Sequence, residues 1–116
     1  MSRNVHYELL RLLEADPGMS QRAVARELGI SLGKVNYCLR ALVQKGWIKA
    51  KRFRNSDNKA AYMYLLTPRG LEEKAELTVR FLRIKVQEYE SLRAEIRQMR
   101  REAQAVSQAR RQPVNE

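Results

Sequence analysis

At 116 residues, with 44% hydrophobic residues and a single cysteine, the chain has the length of one domain, or one domain plus an extension. One cysteine excludes an internal disulfide and an all-cysteine metal site. Lys and Arg total 23 against 13 acidic residues, a formal charge of +10, which points to a polyanionic partner, either nucleic acid or an anionic membrane surface.

Residues 1–4 are expected to fray. Val5, Leu9, Leu10, Leu12 and Leu13 then mark a short amphipathic helix to Ala15, ended by Asp16-Pro17-Gly18. Its expected task is to cover the back of the next two helices. His6 reads as a surface or partly packed residue, because the chain has no second histidine. Met19 before Ser20 fits an apolar residue ahead of an N-cap, opening a helix from Gln21 to Leu28. The corner Leu28-Gly29-Ile30-Ser31 follows, where Gly29 can take a positive φ. Ser31 caps a second helix from Leu32 to about Lys45, with Val35, Cys38, Leu39 and Leu42 at helical spacing and Gly46 as its stop. Helix, tight turn, helix is the layout of a major-groove reader.

Trp47 to Phe53 reads as a strand and 54–59 as a polar turn. A second strand runs from Ala60 or Ala61 to Leu66, so the pair forms a β-hairpin wing. Thr67-Pro68 starts a helix with a capping hydroxyl and proline at its first position. After Gly70, a modest weakness, no breaker appears before Pro113, so one helix of roughly 65 Å can run from Pro68 to about Arg111. Ala75, Val79, Leu82, Val86, Tyr89, Leu92, Ile96, Met99, Ala103 and Val106 repeat at coiled-coil spacing along it, with one phase break between Tyr89 and Leu92. Leu77, Phe81 and Ile84 form a second apolar stripe confined to its early part. The expected fold class is mainly α with a small β-hairpin: a winged helix-turn-helix domain over 5–67, then a long C-terminal dimerisation helix over 68–111. The dimer contacts are assigned to Val79, Leu82, Val86, Tyr89, Leu92, Ile96, Met99 and Ala103. Parallel and antiparallel pairing both fit the arginine-rich flanks. The expected core is Val24, Leu28, Ile30, Val35, Leu39, Leu42, Trp47, Ile48 and Leu65, with Cys38 as filling rather than a redox sensor.

Residues 1–66 hold twelve basic and five acidic side chains, and 67–116 hold eleven and eight, so the excess positive charge gathers around the helix pair and hairpin. On the second helix, Ser31, Gly33, Lys34, Asn36, Tyr37 and Arg40 are expected to face DNA. Arg can bond guanine bidentately and Asn adenine, while Lys serves a base or a phosphate. Base reading is assigned to Asn36, Tyr37 and Arg40. Gly33 and Lys34 sit in the first turn, where free N–H groups can approach phosphate. Ser20, Gln21 and Arg22 are candidate phosphate clamps, and Lys51, Arg52, Arg54, Asn58 and Lys59 place the wing on a backbone or in a minor groove. The bland reading of both sets is a solvated helix face and a charged, soluble hairpin edge.

No catalytic constellation, metal-ligand set or phosphate loop is present, and neither enzyme activity nor a cofactor is expected. No N-terminal apolar run suits a signal peptide and no stretch of about 18 apolar residues suits a membrane span, so a cytoplasmic protein is expected.

The stretch SQRAVARELGISLGKVNYCLRALVQKGWIKA resembles winged-helix regulators of the MarR (multiple antibiotic resistance regulator) family. With NSDNKAAYMYLLTPRGLEEKAELTVRFL, and above all GISLGKVNYCLRAL and YLLTPRG, it is similar to a small bacterial subfamily associated with exopolysaccharide gene clusters. The likeness covers roughly 5–100. It implies a homodimer on a partly palindromic promoter, with Ser31 to Lys45 as reading helix, Arg52 to Lys59 as wing, and Ser31, Lys34, Asn36, Tyr37 and Arg40 at the contacts. The chain departs from the broader family in its short N-terminal helix and in one uninterrupted C-terminal helix where members carry two. No small-molecule effector is assigned. The rival reading is a protein-interaction adaptor acting through the long basic helix. RNA binding and lipid binding rank lower, for want of a stacking surface and because Glu accompanies Arg along the late helix.

Overall fold

The computed structural model describes residues 4–54 and 56–111. Of the expected fraying of 1–4, residues 1–3 lie outside the described residues, as do the turn residue Asn55 and the helix-breaking Pro113, while Asn4 is a correction: it is ordered as the N-cap of α1. The elements are α1 (Val5–Ala15), α2 (Gln21–Leu28), α3 (Leu32–Gln44), β1 (Ile48–Arg54), β2 (Ala60–Leu66) and α4 (Pro68–Arg111). The fold is mainly α, with one antiparallel hairpin and a long C-terminal helix. It divides into two units, the first ending at Thr78 and the second starting at Val79.

Local chemistry sets each helix boundary. Asn4 Oδ1 accepts from Tyr7 N at 2.9 Å, Ser20 Oγ from Ala23 N at 3.1 Å, and Ser31 Oγ from Lys34 N at 3.1 Å. Each satisfies an N–H that the first turn leaves without a helical partner. Gly29, at φ 65°, ends α2 and lets Ile30 N reach Ala25 O at 3.0 Å. Gly46, at φ 76°, does the same for α3, and Trp47 N donates to Leu42 O at 3.1 Å. Trp47 therefore belongs to the end of α3, and β1 begins one residue later than the sequence suggests.

The core of the first unit joins Leu9, Leu10 and Leu13 of α1 to Val24 of α2, Val35, Cys38, Leu39 and Leu42 of α3, and Ile48 of β1. Leu28, Ile30 and Trp47, expected inside, are partly buried against it. Leu65 is a correction: Tyr64 and Leu66 are the β2 residues packed on the core. Leu66 pairs with buried Ile48, whereas Leu65 pairs with exposed Lys49 on the opposite face of the ladder.

Two ties hold the hairpin and the start of α4 to the helices. Tyr64 N donates to Pro17 O at 3.1 Å in the α1–α2 loop. At the other tie, Thr67 Oγ1 donates to Gly46 O at 2.6 Å, accepts from Gly70 N at 3.1 Å, and so caps α4. The first turns of α4 complete this unit through Leu77 on the core, a Lys74–Glu14 ion pair at 2.7 Å and a 2.9 Å hydrogen bond between the Tyr7 and Thr78 hydroxyls.

The second unit is α4 from Val79 onward. Val79, Leu82, Val86, Tyr89, Leu92, Ile96 and Met99 form an apolar row along it, each between 41% and 66% exposed among the described residues. Among the described residues no helix is long and apolar enough to cross a membrane.

Candidate nucleic-acid interface

The packing of α3 decides which of its side chains are left for a partner. Val35, Cys38, Leu39 and Leu42 point into the core, so Lys34, Tyr37 and Arg40, at three-residue spacing, share the opposite exposed face. Tyr37 is 69% exposed, with the Lys34 ammonium 5.9 Å from its ring centroid. That distance lies at the outer limit of a cation–π contact.

Asn36 differs from these neighbours. It is half-buried, and its Nδ2 donates to Gln21 Oε1 at 3.4 Å, while Gln21 Nε2 donates to the Tyr64 hydroxyl at 3.3 Å. A side-chain relay thus links α3, α2 and β2. Of the expected clamps at the start of α2, Ser20 accepts from the Ala23 N–H and keeps a hydroxyl proton to donate. Gln21 is held in the relay, and Arg22 is exposed. Ser31 likewise accepts at the α3 cap and keeps a hydroxyl proton to donate.

Gly33 lies exposed in the first turn of α3, and a β-carbon there would meet no atom within 4 Å. Nothing in the chain's own packing requires glycine at this position.

The hairpin carries the second cationic group. Lys51, Arg52 and Arg54 are exposed on β1, with the Arg52 guanidinium 5.9 Å from the Tyr62 ring. Arg54 Nη1 donates to Asn58 O at 3.0 Å across the turn, and Asn58 holds φ 60°, a left-handed conformation that Asn tolerates better than most residues. Arg54 and Asn58 therefore shape the wing tip, and Lys59 stands exposed beside them.

Two features were not read from the sequence. One is the Tyr64 hydroxyl, whose bond to Gln21 spans 43 residues. The other is an open concavity of 640 Å³ between α3 and the hairpin, lined by Asn36, Arg40, Val43, Ala50, Tyr62 and Tyr64 among others. On α1, burial, then Lys45, then Lys34 hold the His6 pKa below its ordinary value of 6.5. Among the described residues no group of three or more His, Cys, Asp or Glu side chains is placed to hold a metal ion.

A family model described as winged helix-turn-helix DNA-binding matches residues 3–49. No curated protein matches the chain in sequence. Among solved structures, the PcaV transcriptional regulator from Streptomyces coelicolor, in complex with its natural ligand, is similar at 23% identity and a TM-score of 0.62, over 90% of this chain and 77% of that one. MepR, a transcription regulator of the Staphylococcus aureus multidrug efflux pump MepA, is similar at 22% identity and a TM-score of 0.60, over 91% of this chain and 78% of that one. Streptococcus pneumoniae FabT, in complex with DNA, is similar at 20% identity and a TM-score of 0.55, over 93% and 78% of the two chains. At these identities the likeness is one of fold.

Proposed function

We propose, from the MarR-type winged-helix fold of this chain, that it is a homodimeric, sequence-specific regulator of transcription that binds double-stranded DNA. The observation that carries the reading is the arrangement of α3. Its apolar face is spent on the core, and Lys34, Tyr37 and Arg40 are left outside beside a relay that orients Asn36. Arg40 and Asn36 carry the groups that distinguish guanine and adenine in a major groove. Gly33, Lys34, the Ser20 and Ser31 hydroxyls, Gln21 and Arg22 serve the phosphates. Lys51, Arg52, Arg54, Asn58 and Lys59 set the wing on the flanking backbone or minor groove. Neither the reading nor the wing calls for a cofactor or for enzymatic chemistry. The place of action is the cytoplasm, where bacterial DNA lies.

The bare apolar row on the second unit supports dimerisation through Val79, Leu82, Val86, Tyr89, Leu92, Ile96, Met99 and Ala103, with the winged domain over 5–67 and the pairing helix over 68–111. The resemblance to regulators associated with exopolysaccharide gene clusters supports target promoters among genes of that kind. The test is selection of bound fragments from sheared bacterial DNA by the purified protein at about physiological salt, repeated with Arg40→Ala and Asn36→Ala. One short inverted repeat, lost in both variants, is the expected result. Salt-sensitive capture of random DNA, unchanged by either variant, would sink the reading.

A further inference from the structure

The open hollow between α3 and the hairpin has no part in the fold. We infer that it seats the sugar–phosphate backbone of one DNA strand, with deoxyribose packed on Val43, Ala50 and Tyr62. This rests on the DNA-binding reading above and adds those three residues to the interface.

Position gives the first argument. The 640 Å³ hollow is walled by α3 on one side and by β1 and β2 on the other. Asn36, Arg40 and Val43 line it at steps of four and three residues. It therefore runs along the flank of α3 that joins the packed side to the exposed one. A reading helix in a major groove about 12 Å wide and a wing in the adjacent minor groove, about 6 Å wide, have one sugar–phosphate strand between them. That strand must pass over whatever separates α3 from the hairpin, and the hollow is what separates them.

The register of the ladder explains why the space is there. Ile48, Ala50 and Arg52 share one face of β1, opposite Leu66, Tyr64 and Tyr62 of β2. At the inner end of this face Ile48 is buried and Leu66 packs on the core, yet Ala50, one pair further out, is exposed. A residue on the core-facing side that is still exposed marks where helix and sheet part, and a methyl side chain leaves the gap unfilled. Gln21 Nε2, donating to the Tyr64 hydroxyl at 3.3 Å, holds the inner of the two rings in place.

The lining suits a chain in which sugars and phosphates alternate. Leu39 is buried at the base, whereas Val43 and Tyr62 are 41% and 54% exposed, apolar surface that the fold leaves in water. Arg40 and Gln44 stand exposed on the α3 side, and the Arg52 guanidinium lies 5.9 Å from the Tyr62 ring on the other. No acidic side chain lines the hollow. Aliphatic and ring surface can pack the C–H face of a sugar, while donors at the edges take the phosphates on either side of it. A phosphate contact alone would leave Val43 and Tyr62 facing water, and a neutral apolar ligand would gain nothing from the two arginines.

The test fills the hollow without touching a charge. Ala50→Leu in the full chain leaves every cation and the exposed face of α3 in place, and thermal denaturation checks that it folds. Affinity for the selected site and for random duplex alike should fall roughly four- to fifteenfold, the equivalent of one or two buried methylenes lost. The slope of log K against log salt should not change, because no cation is removed. Unchanged affinity would overturn the proposal. Hydroxyl-radical footprinting, which cleaves at accessible deoxyribose, gives a second readout that does not depend on this variant. With the unsubstituted protein on its selected site, sugars of one strand at the border between the two grooves should be protected. Cleavage there equal to that of free DNA would overturn the seat and leave DNA binding standing. Val43→Ala should restore cleavage at that border while the rest of the footprint persists; a footprint identical to the unsubstituted one counts against the proposal. Failure of the unsubstituted protein to bind any duplex would remove the DNA reading, and the proposal with it.

Discussion

The carbonyl oxygen of Trp47 occupies the place where a β-carbon on Gly70 would stand. The first turn of α4 can therefore lie against the end of α3 only with glycine at 70, the same place where Thr67 caps the helix through Gly70 N at 3.1 Å. Two effects oppose each other in Gly70→Ala. Helix propensity favours alanine by about 1 kcal/mol, while the overlap with backbone, which cannot swing away as a side chain would, costs about 1–3 kcal/mol or more. The expected net result is a lowered Tm in thermal denaturation. A raised Tm would mean that the contact does not constrain this turn.

Gly33 predicts the reverse. With no atom within 4 Å of its would-be β-carbon, Gly33→Ala should stabilise the fold by roughly 0.5–1 kcal/mol. On the proposed reading, in which the backbone of α3 meets a phosphate at Gly33, it should also weaken DNA binding. Denaturant titration and fluorescence anisotropy on the same sample separate the two effects. Unchanged affinity would remove Gly33 from the interface.

Arg40 and Arg52 should fail in different ways. Arg40→Ala is expected to cost about 1–3 kcal/mol on the selected site and to relax preference at one base pair. Arg52→Ala should weaken binding to all sequences alike and reduce the slope of log K against log salt by about one. Competition binding at several salt concentrations distinguishes them, and identical profiles for the two would contradict the division between reading helix and wing.

The Tyr64 hydroxyl braces Gln21, which in turn braces Asn36. Tyr64→Phe keeps the ring on the core and removes that brace. Stability should fall by only about 0.5–1.5 kcal/mol, while the Asn36 side-chain amide resonances shift in NMR and discrimination at its base pair declines. An Asn36 amide unmoved by the substitution would mean that the relay does not orient it.

His6 gives the fold a pH dependence of known sign. Its pKa is held below 6.5 by burial, Lys45 and Lys34, so between the lowered value and 6.5 the unfolded chain binds the proton more readily. Stability is therefore full above pH 6.5 and falls as the pH drops through that window. His6→Gln should flatten the fall. Urea midpoints at pH 7 and pH 5.5 for both proteins provide the check, and parallel declines would assign the effect to other groups.

What could be read in the sequence was local. Ser20, Gly29, Ser31 and Gly46 act within four residues of themselves, through a side-chain cap or a positive φ, and each does in the structure what its type suggests. The packed side of α3 was legible for the same reason, since helical spacing alone separates Val35, Leu39 and Leu42 from Lys34 and Arg40. The misreading at Leu65 came from β2 itself. In AAYMYLL both faces are apolar, so alternation cannot choose one, and the choice comes from pairing with β1. Gly70 looked like a weak helix residue because its reason lies 23 positions away, in the Trp47 backbone. The relay through Gln21, Asn36 and Tyr64 was hidden in the same way, since each residue is an ordinary surface type until three elements meet.

The hairpin has only two strands, so β1 keeps one edge of backbone outside the pairing with β2. A strand edge left open is a template on which another chain can build, and proteins that keep such an edge guard it with charge. In β1, Lys49, Lys51, Arg52 and Arg54 fill four of seven positions. Whatever else these cations bind, they make stacking of one molecule's hairpin on another's electrostatically costly. On the proposed reading, solubility and DNA affinity thus draw on the same side chains, and a chain neutralised along β1 is expected to aggregate as it loses affinity.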